Sequence, residues 1–151
     1  MEQPTPQVNT KPVEELVSKP INSLKVESVT STSKILIVED EIALSRVLKL
    51  KLEEKDYDIT VVHDGVEAEE VIRSAKYDTI LLDLVLPTKN GFDLLPIIRE
   101  VSPNTKIIVM TNLGQPEDRE RVQKYNPDGY FVKSEIAIFD LVTRIQTIVE
   151  S

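Results

Sequence analysis

From Lys34 onward, short runs of aliphatic and β-branched residues alternate with stretches whose apolar residues recur at helical spacing. Ile35-Leu36-Ile37-Val38 is apolar at every position, the pattern of a strand covered on both faces of a parallel sheet. Leu44, Val47, Leu48 and Leu52 follow at i, i+3, i+4 and i+8, which places them on one face of a helix. Ile59–Val62 reads as a second strand, and residues 66–75 as a second helix with Val66, Val71, Ile72 and Ala75 as its apolar positions. Thr79–Leu82 predicts strand three and Gly91–Val101 helix three. Pro96 lacks a backbone donor and is expected to bend that helix or limit its first turns. Lys106–Met110 predicts strand four, and Glu117–Tyr125 a very polar helix four. Asn126 suits the left-handed position after a helix, and Pro127 blocks continuation. Gly129–Val132 is then strand five, and Glu135–Val149 the closing helix.

This strict alternation implies an α/β fold, (βα)₅, with a five-stranded parallel sheet, right-handed crossovers and helices on both faces. No internal repeat is evident. Residues 1–33 differ from the rest: they carry Pro4, Pro6, Pro12 and Pro20, end in Thr30-Ser31-Thr32-Ser33, and contain no aromatic residue. Such a stretch buries too little apolar surface to offset its ordering entropy. It is expected to be a disordered linker or docking arm, with Val13–Val17 able to form a helical turn on a partner, leaving 34–151 as the folded domain.

Composition narrows the chemistry. A chain of 151 residues suits one domain and a tail. The formal charge of −8 argues against a nucleic-acid surface, which needs clustered Lys and Arg, and suits cations or basic patches on protein partners. With no cysteine there is no disulfide, thiolate metal site or cysteine nucleophile, and His63 alone is too few for a histidine-rich metal site. His63 is read as an exposed strand-end residue. No basic region followed by an apolar stretch marks a signal peptide, and apolar runs such as Ile107–Met110 fall far short of the ~20 residues that span a bilayer. A cytoplasmic protein with no membrane contact is expected.

In an open parallel sheet, ligands gather beyond the carboxyl ends of the strands. There the sequence places Glu39, Asp40 and Glu41 after strand one, Asp83 after strand three, Thr111 after strand four and Lys133 after strand five. With strand order 2-1-3-4-5, doubly wound, strands one and three are neighbours and Glu39, Asp40 and Asp83 share a pocket. Two carboxylates ~4 Å apart repel by roughly 4 kcal/mol at an effective dielectric of ~20, so protons or a cation must intervene. A few carboxylates with room for water and a phosphate oxygen suit Mg²⁺.

Four segments and one glycine together resemble the receiver domains of response regulators in two-component signalling. They are Ile35–Glu41, then Leu81–Pro87 with Gly91, Met110-Thr111, and Gly129–Lys133, in the family's order and spacing over residues 34–150. The resemblance implies that Asp83 is the phosphoacceptor, taking a phosphoryl group from a sensor histidine kinase or a phosphotransfer protein. It implies Mg²⁺ on Asp40, Asp83 and the backbone carbonyl of Val85, with Glu39 holding a water on the metal. Lys133 would pair with Asp83 and then with phosphoryl oxygens. Thr111 would donate to the phosphoryl group, and Tyr130 would be the aromatic switch that follows it. Such a protein is not an enzyme in the usual sense, since it catalyses only its own phosphorylation and dephosphorylation. Each role has a plainer alternative: Glu39 and Asp40 as a helix N-terminus, Asp83 as a loop acid, Lys133 as a solvated lysine, Thr111 as a strand end, Tyr130 as packing.

Two positions depart from the pattern. Asn112 stands where a small residue usually follows the threonine, which is expected to narrow access to Asp83 or add a hydrogen bond. Ser134 stands where proline usually follows the lysine, so Lys133–Ser134 is expected to be trans with a shifted loop, or strained. Val85 and Leu113, two residues past Asp83 and Thr111, are expected to screen an acyl phosphate from water. Helix five carries Ile136, Ile138, Phe139, Leu141, Val142, Ile145, Ile148 and Val149, more apolar circumference than one stripe needs. Deeper burial explains this, or else a downstream partner or homodimer contact on the face of helix four, strand five and helix five. The leading expectation is a phosphorylation-controlled protein-binding switch. A pseudo-receiver that binds partners without phosphorylation is the alternative, and another doubly wound enzyme or flavin binder a remote third.

Overall fold

In the computed structural model, residues 32–151 are described. The expected disordered tail over residues 1–33 lies, but for its last two residues, outside them. The elements run β1 (Lys34–Val38), α1 (Ile42–Glu53), β2 (Asp58–Val62), α2 (Gly65–Ser74), β3 (Thr79–Leu82), α3 (Gly91–Val101), β4 (Lys106–Thr111), α4 (Pro116–Gln123), β5 (Gly129–Val132) and α5 (Ile138–Val149). All five strands are parallel, in the order β2-β1-β3-β4-β5. None of the described helices is long and apolar enough to cross a membrane.

The continuous apolar runs do what they predict. Alternate residues of β1, β3 and β4 point to opposite faces, and each face builds its own core. Leu36, Val38, Ile80, Leu82, Ile107 and Val109 pack with α2, α3 and α4 on one side. Ile35, Ile37, Leu81, Ile108 and Met110 pack with α1 and α5 on the other. α3 runs unbroken through Pro96, and Asn126 does adopt a left-handed backbone, with φ of 52°.

Two features fasten the far end of the sheet. Arg99, on α3, donates to the carbonyls of Pro103, Thr105, Tyr125 and Asn126 and so gathers the loops on either side of β4 and α4. Lys106 Nζ donates to the carbonyls of Ile148 and Val149, placing a cation at the last turn of α5, where the helix dipole favours one.

The closing helix begins later than its apolar pattern suggests. Lys133–Glu135 form one 3₁₀ turn, Ile136 is extended (φ −136°, ψ 134°), and α5 starts only at Ile138. That break lets Ile136 join the core without belonging to the helix. Most of the surplus apolar surface of α5 also goes inward: Leu141, Val142 and Ile145 are buried, whereas Phe139 remains 75% exposed.

Among the described residues, one buried side-chain polar atom lacks a hydrogen-bond partner, Thr79 Oγ1 at the start of β3. An unsatisfied buried hydroxyl costs stability that a methyl group of similar shape does not. Thr79→Val should therefore match or exceed the parent in stability, by up to about 1 kcal/mol in urea unfolding. A clear fall in the midpoint would expose a role for the hydroxyl.

Candidate functional site

The strand register assembles the site. Val38 pairs with Leu82 across β1 and β3, so Glu39 and Asp83, one residue further on, emerge side by side. Thr111 pairs with Val132 across β4 and β5, so Asn112 and Lys133 emerge together on the next row. Carboxylate oxygens of Glu39, Asp40 and Asp83 lie within 4.8 Å of one another. Asp40, Glu41, Asp83, Val85, Asn112 and Lys133 line a shallow pocket at this edge.

Lys133 is the hub. Its Nζ donates to Asp83 Oδ2 at 2.9 Å, to Glu39 Oε1 and Oε2 at 3.0 and 3.1 Å, and to Glu41 Oε1 at 3.3 Å. Asp83 Oδ1 accepts the Val85 N–H at 3.1 Å, and Glu39 Oε2 accepts the Glu41 N–H at 3.0 Å. Glu39 has no exposed surface and Asp83 only 3%. Burial pushes the Glu39 carboxyl up to about 7, and the nearby Asp83 charge adds to this against the hydrogen bonds from Glu41 N–H and Lys133. Burial by itself would lower the Lys133 pKa, but its bonds to Asp83 and Glu39 outweigh burial and hold it above the ordinary lysine range. The lysine is cationic at any physiological pH.

The donor set suits a hard divalent cation. Three carboxylates converge from two adjacent strands, and a single lysine does not balance them. Val85 lines the same pocket. Thr111 and Tyr130 sit one step away. Thr111 is fully buried and its Oγ1 accepts the Leu113 N–H at 3.4 Å. The half-buried Tyr130 hydroxyl donates to the Leu113 carbonyl at 2.5 Å, under the Arg119 guanidinium, 4.5 Å from the ring centre. Threonine and tyrosine thus hold the same residue of the β4–α4 loop from its two backbone groups.

Several expectations need correcting. His63 is half-buried, not exposed, and lies just beyond β2 with Nδ1 2.9 Å from the Glu39 carbonyl oxygen. Leu113 packs against the core and does not line the Asp83 pocket, which leaves Val85 as the apolar residue there. The trans expectation for Lys133–Ser134, by contrast, holds, since there is no cis bond among the described residues. Glu41 was visible in the sequence only as part of an acidic run, yet it reaches Lys133. Asn112 and Ser134, the two departures, are bonded to each other: the Ser134 N–H donates to Asn112 Oδ1 at 3.0 Å. A proline could not make that bond.

A doubly wound parallel sheet carrying an acid cluster and a lysine at the carboxyl ends of its strands is the arrangement that the resemblance to receiver domains leads one to expect. The family described as response regulator receiver domain matches residues 35–146, and this chain belongs to it. Response regulator ArlR of Staphylococcus saprophyticus is 40% identical over 114 residues, covering 76% of this chain and 51% of that protein. The chain thus spans about half the length of the curated relatives it matches. Among solved structures, a CheY-like response regulator receiver domain protein from Methanospirillum hungatei superimposes with a TM-score of 0.74 at 26% identity, over 80% of this chain and 95% of that one. The receiver domain of the Francisella response regulator 1452 gives 0.69 at 31% identity, over 79% and 98%. These likenesses place the chain in two-component signalling.

Proposed function

We propose that Asp83 accepts a phosphoryl group from the phosphohistidine of a sensor histidine kinase or phosphotransfer protein, and that the phosphorylated domain switches its protein contacts. The observation that carries this is the Asp83 carboxylate itself, nearly buried, with one oxygen on Lys133 at 2.9 Å and two further carboxylates beside it. A loop acid or a helix cap has no need of that arrangement. One Asp83 carboxylate oxygen forms the new bond to phosphorus, the phosphorus–nitrogen bond of the donor breaks, and its electron pair stays on the imidazole. Lys133 then shifts its donor from the carboxylate to a phosphoryl oxygen. Glu39, Asp40, Asp83 and the Val85 carbonyl would hold Mg²⁺, which when bound supplies positive charge against the phosphoryl oxygens. Thr111 turns its hydroxyl to the incoming group and releases the Leu113 N–H, and Tyr130 follows through the shared loop.

Output passes through the face of α4, β5 and α5 to a downstream partner or a second copy of the chain. A groove there sets Arg119 and Arg144 beside Glu135 and Asp140.

Intact mass after incubation with Mg²⁺ and acetyl phosphate tests the reading. One added phosphoryl group is expected in the parent, none in Asp83→Asn, and none when EDTA removes the metal. A gain that persists in Asp83→Asn would move the acceptor elsewhere. No gain in a folded parent would favour the pseudo-receiver, a reading to which the complete set of Asp40, Asp83, Thr111 and Lys133 lends nothing.

A further inference from the structure

The pocket around Asp83 holds one hydrogen-bond donor for which the acid cluster has no use. Asn112 and Ser134 leave neighbouring strands at the same level, since Thr111 pairs with Val132. The Ser134 N–H donates to Asn112 Oδ1 at 3.0 Å. A backbone N–H can only donate, so the oxygen of the amide must face Ser134, and Nδ2 with its two hydrogens must face away. Nδ2 makes no hydrogen bond among the described residues, and Asn112 lines the pocket together with Asp83 and Lys133. Asn112 is exposed, so its Nδ2 is left to solvent at the rim of the pocket that Asp83 and Lys133 line, where a donor suits an anionic group and not a cation.

We infer that Asn112 is a phosphoryl-binding residue: its Nδ2 donates to an oxygen of the group carried by Asp83, with the Ser134 N–H holding the amide in that orientation. This rests on the reading of Asp83 as phosphoacceptor. Lys133 serves the phosphoryl group from the β5 side, and Asn112 serves it from the end of β4. The two departures from the receiver pattern are then one device. A small residue followed by nothing that needs an acceptor is replaced by an amide and the N–H that aims it. The device stabilises the phosphoryl-bound state at equilibrium, which a residue that merely narrows the entrance does not do.

Beryllofluoride, a tetrahedral phosphoryl mimic, titrated in the presence of saturating Mg²⁺ into the full chain and followed by NMR, reads that equilibrium directly. Asn112→Ala should bind about tenfold more weakly, the size of one hydrogen bond to a charged oxygen. Asn112→Asp keeps the acceptor for Ser134 and loses the donor, so it should bind more weakly still. Mg²⁺ affinity without beryllofluoride should stay within about twofold in Asn112→Ala, because the amide donates and cannot help a cation. An Ala variant that matches the parent in beryllofluoride affinity would overturn the assignment, even if acetyl phosphate labels it faster, since that pattern belongs to a steric gate. So would an Asp variant that binds better than the Ala variant. Asp83→Asn, run alongside, should bind none; if it bound like the parent, the phosphoacceptor reading itself would fall, independently of Asn112.

Discussion

Lys133→Ala should lose phosphoryl acceptance and acquire a stability that depends on pH and on divalent cations. The ammonium is the counter-charge for Glu39 and Asp83, which are almost wholly shielded from water. Removing one partner of a buried ion pair costs about 3–5 kcal/mol, because the charge left behind has neither water nor a partner. The pH dependence follows from Glu39. Its carboxyl titrates near 7 in the folded protein against an ordinary value of 4.5. The folded state thus binds this proton more tightly than the unfolded chain does. Its contribution is fully present below the ordinary value and is lost as pH rises through about 7. Without the lysine's hydrogen bonds the Glu39 pKa moves higher still, and the loss extends further up the scale. Urea unfolding should therefore show a larger deficit for Lys133→Ala at pH near 8 than near 6, and Mg²⁺ should narrow it. Equal deficits at both pH values would mean that Glu39 is not the group left exposed to the imbalance.

Gly91→Ala should weaken both the fold and the proposed chemistry, because α3 begins against the backbone that carries Asp83, the proposed acceptor. The Gly91 N–H donates to the Leu84 carbonyl at 2.8 Å. A Cβ at Gly91 would stand 2.4 Å from the Asp83 carbonyl oxygen and 2.7 Å from Leu84 Cα. Both are main-chain atoms, so the clash cannot be relieved by rotating a side chain. Forced overpacking of this kind costs about 1–3 kcal/mol, occasionally more. The chemical effect is larger, since a reacting group displaced by about 1 Å loses on the order of a hundredfold in rate. Acceptance from acetyl phosphate, followed by intact mass, should slow by that order while urea unfolding reports the stability loss. A destabilised variant that still labels at the parental rate would show that α3 yields and Asp83 holds its place.

Much of this was legible in the chain. The runs Ile35–Val38 and Ile107–Met110 are apolar at successive positions because both faces of the sheet are covered, and that pattern belongs to few folds. Glu39, Asp83 and Lys133 follow apolar strand runs directly, and Asp40 stands one residue further on. What escaped depends on register between distant segments. Nothing local to Asn112 says that its oxygen meets Ser134, and nothing local to His63 says that its ring reaches the Glu39 carbonyl. The start of α5 escaped for a different reason: Ile136 has the spacing of a helical core residue but packs from an extended backbone. Apolar periodicity reports which residues go inside, and is silent on the backbone that takes them there.

The two loops that border Asp83 differ in how they are fastened. On the β3–α3 side, Gly65 N–H meets the Pro87 carbonyl, Gly91 N–H meets Leu84, and the Thr88 hydroxyl ties to Asp64, the cap of α2. On the β4–α4 side, residues 112–114 make no main-chain to main-chain hydrogen bond among the described residues, and are held by the side chains of Thr111, Tyr130 and Asn112 and by the packing of Leu113. The rim of the pocket is therefore stiff along one margin and compliant along the other. A displacement at Asp83 would meet hydrogen-bonded main chain along the first margin and mostly side-chain ties along the second.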